Sequence, residues 1–408
     1  MSQSTASPDH LQGAETRSYA LLAHQHFAGV QLRGIAGLVT ATVAAAPIVI
    51  DDLNGEPLYH DYALSSGGAV VGTIRCASNK KLGSPVISIS HAAPGWSPDA
   101  ALRLATEALH KQSPTARVVG SQLVCYANPK IGIRLNFETR PGAAQESGIF
   151  DASSGQPVGQ STDPDNQFTA YSLLASLSNE IASRRSQFLA SEQQIAAVTA
   201  ASAATLASPT LPLPPPHALS PTLPLPPPHL LVREGLVQLS PYCPGSGPGN
   251  SHYAQITDYF CVDASAQMLM EHYGWNYTQN QIAIAMDTTA AQGGTTGAGL
   301  TSGFASLTHN SLTLTFDNGA SRAQQFQDAI TEVDANRPLF TQVPHHYRVC
   351  MGYQESLLVP IWSALGLGQM LYIFDPWPWN PDLCKPGAAY WESWATSPVM
   401  WFGIVHHA

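Results

Sequence analysis

Apolar and polar positions alternate along residues 46–140 in the manner of half-buried strands. Pro47–Ile50 and Leu58–Leu64 flank an Asn54–Gly55 turn and predict a hairpin. Ser65–Gly68 is a second turn, and Ala69–Ala77 and Val86–Ser90 continue the meander. Ser97-Pro98-Asp99 predicts a helix start, with proline at the first helical position and an acid in the first turn. Leu102, Ala105 and Leu109 give that helix one apolar face. Val118–Tyr126 and Ile131–Glu138 form a further hairpin signal around Asn128-Pro129. The expectation is an antiparallel α+β domain over 46–165, preceded by a helical or flexible segment over 1–45. Residues 166–207 lack Pro and Gly and set Tyr171, Leu174, Leu177 and Ile181 at helical spacing, which predicts one long helix.

The pattern changes after a twelve-residue unit in tandem, SPTLPLPPPHAL then SPTLPLPPPHLL, over 208–231. Proline fixes φ and removes the N–H donor, so the expectation for 208–232 is an extended spacer. Residues 233–408 then form a second unit. From Cys261 the apolar positions turn helical (Ala264, Met268, Met270–Tyr273), and Gly274 stops the helix. His346–Tyr353 alternates, with Tyr347, Val349 and Met351 on one face and His346, Arg348 and Cys350 on the other. Leu371–Asp375 is a strand ending in Asp-Pro.

Composition supports two units. Residues 233–408 carry 5 basic and 13 acidic side chains, net -8, whereas residues 1–232 carry 13 and 15, net -2. Seven of the eight tryptophans lie in the second unit. Only 18 Lys and Arg in 408 residues argue against nucleic acid as a partner, since that affinity is mostly phosphate neutralisation. Gly34–Ile50 is uncharged over 17 residues but runs into a strand pattern, so we expect a buried segment rather than a stable membrane insertion. No basic region followed by an apolar stretch opens the chain, which leaves cytoplasm and non-classical secretion both open. Six scattered cysteines without a CxxC predict neither a disulfide scaffold nor a zinc site, and no cofactor is expected. Cys76 and Cys125 could meet across strands or remain free thiols.

One cysteine has a chemical setting. Cys261 opens a helix, where unpaired N–H groups and the macrodipole favour a thiolate. Asp263 in the same turn would oppose that charge if it pointed inward, so we expect it to point outward. If the strands bearing His346 and Asp375 pair antiparallel with Tyr353 opposite Gly368, His346 falls opposite Asp375. A carboxylate beside the imidazole would fix its tautomer for a Cys–His pair. Gln255, six residues before Cys261, could donate to an oxyanion together with the backbone N–H of Cys261. Cys243, Cys350 and Cys384 read as structural or incidental. Trp377, Trp379, Trp391, Trp394 and Trp401 read as core or as the lining of a cleft. His406-His407 reads as a solvated tail.

This order of Gln, Cys at a helix start, His opening a strand that ends in Gly-Tyr, and an acid after the next strand resembles the papain-like peptidases. In detail it resembles the bacterial C39-like and AvrRpt2-like cysteine peptidases. The segments that carry the likeness are Cys261-Val-Asp-Ala-Ser-Ala-Gln-Met-Leu269 with Tyr273-Gly274, Thr278-Gln279-Asn-Gln281-Ile282-Ala283, Gly293-Gly294-Thr295, Arg337-Pro338-Leu339 and Asp375-Pro376-Trp377. The likeness spans roughly residues 250–405 of a papain-like domain over 233–408. Two positions depart from it. Val262-Asp263 stands where many relatives have Trp or Gly and then Pro or Ala, and His345 stands where many have Gly. His346 is the better base because its six-residue spacing to Gly352 matches the family strand, with His345 the runner-up. No Gly-Lys pair is present, so there is no P-loop and no exporter's ATPase. The 46–140 pattern resembles cystatin-like or streptopain-like pro-regions.

The resemblance implies a thiol peptidase acting on protein or peptide. Cys261 would be the nucleophile, His346 the base, Asp375 its orienting acid and Gln255 the oxyanion donor. The N-terminal domain would contact and regulate the peptidase domain. Acyl transfer or deamidation on the same fold, and a non-catalytic binding module, are the alternatives. The module is favoured if His346 lies beyond hydrogen-bond reach of both Cys261 and Asp375. The acidic excess of the second unit hints at basic peptides.

Overall fold

A computed structural model describes residues 7–30, 38–140, 142–159, 170–206, 232–237, 252–356, 360–382 and 385–407. Cys243, Cys384 and the proline repeat of 208–231 lie outside the described residues.

Helix α1 (Gly13–Val30) precedes the strands β1 (Thr42–Val43), β2 (Ile48–Asp52), β3 (Pro57–Ser66), β4 (Ala69–Ala77) and β5 (Val86–Ser90). Helix α2 (Pro98–Gln112) follows, then β6 (Arg117–Ala127), β7 (Lys130–Glu138) and β8 (Gln145–Asp151). The turn chemistry read from the sequence operates here. Gly55 takes φ +85 in the β2–β3 turn. Ser97 caps α2 by accepting from the Ala100 N–H, with Pro98 in the first turn and Asp99 facing the macrodipole.

Residues 166–207 do not form one helix. Helices α3 (Leu173–Ser176) and α4 (Ile181–Leu206) are separated by a turn. Ser172 caps α3 through its own side chain. Asp52 accepts from the Ser172 hydroxyl and the Leu173 N–H, so a contact with β2 starts the helix afresh. Helical spacing along one segment contains no trace of that partner.

The second unit contributes β9 (Val232–Leu236), α5 (Cys261–His272), α6 (Gln279–Ala285), α7 (Gly297–Leu307) and β10 (Leu312–Phe316). It continues with α8 (Arg322–Asp334), β11 (Leu339–Val343), β12 (His346–Ser356), α9 (Pro360–Leu365), β13 (Gln369–Asp375), β14 (Ala388–Ser393) and β15 (Trp401–His407). The fold is α+β, with nine helices and one large, mostly antiparallel sheet among the described residues. Its order is β10-β15-β11-β12-β13-β14-β5-β4-β3-β2-β6-β7-β8, with β1 on β3 and β9 on β12. Strand β14 meets β5 with Trp391 opposite Ile89, so the sheet runs without a break from the second unit into the first.

Helices α5 and α8 pack on β12. The main core joins Cys261, Val262, Leu269, Phe304, Phe340, Val349, Tyr353 and Phe402. A second core draws Phe27, Tyr62, Ile74 and Ile89 from the first unit and Trp362, Leu365, Met370 and Trp391 from the other. Leu38, from the uncharged 34–50 segment, is buried in it. No helix of the described residues is long and apolar enough to cross a membrane. Cys76 and Cys125 are free, buried thiols, which decides between the two readings of that pair. The terminal histidines sit in a strand rather than a tail: His406 faces the Thr315 hydroxyl at 2.6 Å and the His407 ring packs on Tyr273.

Candidate active site

Cys261 is the first residue of α5, with Phe260 as its N-cap and no side-chain cap bond. Gly274, at φ +86, follows the C-cap Tyr273. The Cys261 Sγ accepts a hydrogen bond from the Tyr347 N–H at 3.4 Å, which ties the helix start to the residue after His346. Burial pushes its thiol up to about 12, against the pull of the Lys130 ammonium and the Tyr347 N–H.

His346 and Asp375 meet: His346 Nε2 lies 2.7 Å from Asp375 Oδ1. They do so in a register different from the expected one. Tyr353 pairs with Leu371, not Gly368, and Val349 pairs with Phe374. A bulge between Cys350 and Gly352 changes the pairing offset by one. Beyond it His346 sits two positions past the residue opposite Asp375. The slip from the expected offset is two there, and an even slip keeps side chains on the same face. The two groups therefore meet diagonally rather than directly. Gly352 has its own reason: a Cβ there would collide with Leu236 and the Gly235 backbone of β9.

Asp375 is held on every side. It accepts from the Trp377 N–H at 2.9 Å and the Tyr390 hydroxyl at 2.8 Å. Tyr390 also accepts from Arg348 Nη1 at 3.0 Å, and Arg348 is ion-paired with Glu392. Burial opposes the Asp375 charge, but His346, Arg348 and the Trp377 N–H outweigh it and keep its pKa below the usual range. Burial lowers the His346 pKa against the pull of Asp375. His345, the runner-up base, takes φ +57, and its ring packs on Tyr171 at 5.3 Å.

Gln255 is fully buried in the segment before α5. Its backbone is clamped to the loop after β13, donating to the Pro376 carbonyl and accepting from the Asn380 N–H. Its Nε2 donates to the Thr257 carbonyl at 2.7 Å, and one amide hydrogen is left over from that bond. Gln279 brackets the segment, accepting from the Ile256 N–H and donating to the Ala254 carbonyl.

Asp263 does not point outward. It is fully buried, accepting from Thr288 Oγ1 at 2.8 Å, and burial raises it to about 7. An acid in the first turn says nothing of the loop that folds over it. Among the tryptophans, Trp391 is core, Trp394 stacks on Phe402 and carries Arg322 over its ring, and Trp377 borders the site.

Sequence reasoning left out four contributors. Tyr390 and Glu392 were hidden because nothing in the chain ties β14 to Asp375. Tyr171 and Lys130 come from the first unit. The Tyr171 hydroxyl reaches the Pro344 carbonyl at 3.4 Å, and Lys130 Nζ stands 4.5 Å from the centroid of the Trp377 ring. No group of three metal-binding side chains occurs among the described residues.

Residues 250–397 match the family described as Peptidase_C39 like family. The match supports a cysteine-peptidase-type domain there, with a protein or peptide as substrate. No curated protein gives a significant match to the chain.

Proposed function

We propose that the chain is a cysteine peptidase in which Cys261, His346 and Asp375 act together, and that its N-terminal unit restrains it. The observation that carries the reading is the buried His346–Asp375 hydrogen bond beside the Cys261 helix start. With Nε2–H given to Asp375, Nδ1 is the nitrogen free to act as base. Nδ1 takes the Cys261 proton and Sγ attacks the peptide carbonyl carbon. The oxyanion is met by the Cys261 N–H and the remaining Gln255 amide hydrogen. His346 returns the proton to the leaving amine, then takes one from water as that water hydrolyses the thioester. The binding-module alternative is favoured by a His346 out of reach of both partners, and 2.7 Å to Asp375 does not favour it.

The restraint reading follows from exposure. Cys261 is 0% and His346 1% exposed, and the first unit reaches the neighbourhood of the site through Lys130 on the Trp377 ring and Tyr171 on the Pro344 carbonyl. A substrate carbonyl reaches Sγ only when groups packed around it move.

Cys261→Ala should abolish both peptide hydrolysis and labelling by a thiol probe. Peptide hydrolysis that persists in this variant refutes the assignment. Acyl transfer shares every step up to the thioester. Adding an amine to the reaction and weighing the products separates the two outcomes.

A further inference from the structure

Lys130 begins β7, just after the Asn128-Pro129 turn, and is 3% exposed. Lysine is seldom buried this deeply without partners that favour its charge. Its own unit supplies Asp151, but Asp151 is already taken by the Tyr126 hydroxyl, the Ser153 and Ser154 N–H groups and the Ser154 hydroxyl. The remaining partners belong to the peptidase unit. The ammonium rides on the face of Trp377, a cation–π contact. Burial lowers its pKa, and Cys261, Asp375 and Asp258 within electrostatic reach pull the other way. Asp375 is occupied by His346, Tyr390 and the Trp377 N–H. Asp258 stands in the turn three residues before Cys261, half-buried, and senses Lys130 in return.

Asn128 and Pro129 of the same turn line, with Asp375 and Trp377, a cavity of about 150 Å³ between the units. The turn thus packs against Trp377 and Asp375, the acid that holds His346. Its strands join the other strands of the first unit through a short parallel contact, Asp51 opposite Val124 and Asp52 opposite Cys125. An arriving peptide that displaces the turn meets what the turn leaves behind: an indole face and a carboxylate beside the nucleophile.

We propose that the place Lys130 occupies is a recognition pocket for a basic substrate side chain, built by the face of Trp377 and the carboxylate of Asp258, with the β6–β7 turn as its internal occupant. This rests on the thiol-peptidase reading above. The test uses the full chain carrying Lys130→Glu, which sets like charges against each other in the pocket. Two quantities are read: the rate of Cys261 alkylation by iodoacetamide, with Cys261→Ala as blank, and cleavage of a peptide library scanned with Lys or Glu at each position. We expect alkylation at least tenfold faster than in the unaltered chain. One library position should favour Lys over Glu by tenfold or more, and Asp258→Lys added to the same chain should reverse that preference. Unchanged alkylation, or a library without preference for a basic side chain, overturns the proposal.

If alkylation rises but no peptide is cleaved, the peptidase reading fails by itself. The pocket is then judged by whether Lys peptides protect Cys261 from iodoacetamide better than Glu peptides. Lys130→Ala serves where Lys130→Glu does not fold. If Lys130→Ala speeds alkylation yet loses cleavage that the unaltered chain performs, Lys130 is itself a substrate anchor and the occupant reading is refuted.

Discussion

Asp263 illustrates how a single residue's environment sets a property of the whole chain. Its Oδ1 takes the Thr288 hydroxyl, while Oδ2 is buried without a hydrogen-bond partner. Such a site favours the neutral acid, and its pKa rises from about 3.8 to about 7. The folded chain therefore holds this proton between those values while the unfolded chain releases it. Stability must fall as pH rises through that window, by at most about 1.4 kcal/mol per pH unit from this group. Asp263→Asn keeps an acceptor for Thr288 and removes the charge. We expect it to be more stable than the unaltered chain at pH 8, by up to about 4 kcal/mol, with the gap closing near pH 4. Urea midpoints at the two pH values check this, and a gap independent of pH contradicts it. That His346 and Asp375 would meet near the start of the Cys261 helix was legible in the chain because each sits where its local element ends or begins. The orientation of Asp263 was not, because the Thr288 loop that covers it is 25 residues away.

At the scale of elements, β12 and its neighbours depend on a buried charge that neither strand reveals alone. Arg348 is fully buried in β12 and Glu392 lies two strands away in β14, with Tyr390 linking Arg348 to Asp375. Alternation placed Arg348 on the face of His346. It could not supply Glu392, because only the β12–β13–β14 order brings them together. The same holds for the register: the bulge at Met351 is invisible to alternation, yet the parity of the slip preserved the pairing of faces. Removing one member of a buried ion pair leaves the other charge unpaired, at a cost of about 3–5 kcal/mol. Glu392→Leu should lower stability by that amount. Adding Arg348→Met should recover most of it, because an apolar pair of similar volume replaces both charges. The double variant should still lose activity, since Tyr390 loses the cation that helps hold it on Asp375. Thermal melts and peptide hydrolysis on the single and the double variant separate the two effects. A double variant no more stable than the single one contradicts the account.

Across the whole molecule, the two compositional halves are joined more closely than the proline repeat between them suggests. The sheet passes from β14 to β5 through paired residues 88–90 and 390–392. Trp362, Leu365 and Trp391 share one core with Phe27, Ile74 and Ile89. His26 packs on Trp362 at 4.3 Å and bonds Gln354 at 3.0 Å. A spacer of twelve-residue repeats invites the reading that one cut there frees residues 233–408. The shared core opposes it, because separation would expose these aromatic and aliphatic surfaces at about 25 cal/mol per Å² and unpair a central strand. We therefore expect a chain cut at a specific protease site engineered into 208–231 to run as one particle in gel filtration, both pieces eluting together. Cys261 in that nicked particle should remain as slow to alkylate as in the intact chain, because the cut leaves Lys130 and Tyr171 in place. Activation would then require movement of the β6–β7 turn, or removal of the first unit by further proteolysis, rather than severance of the linker. Pieces that separate on cutting, with fast alkylation of residues 233–408, would overturn this picture and return the first unit to the role of a simple detachable pro-region.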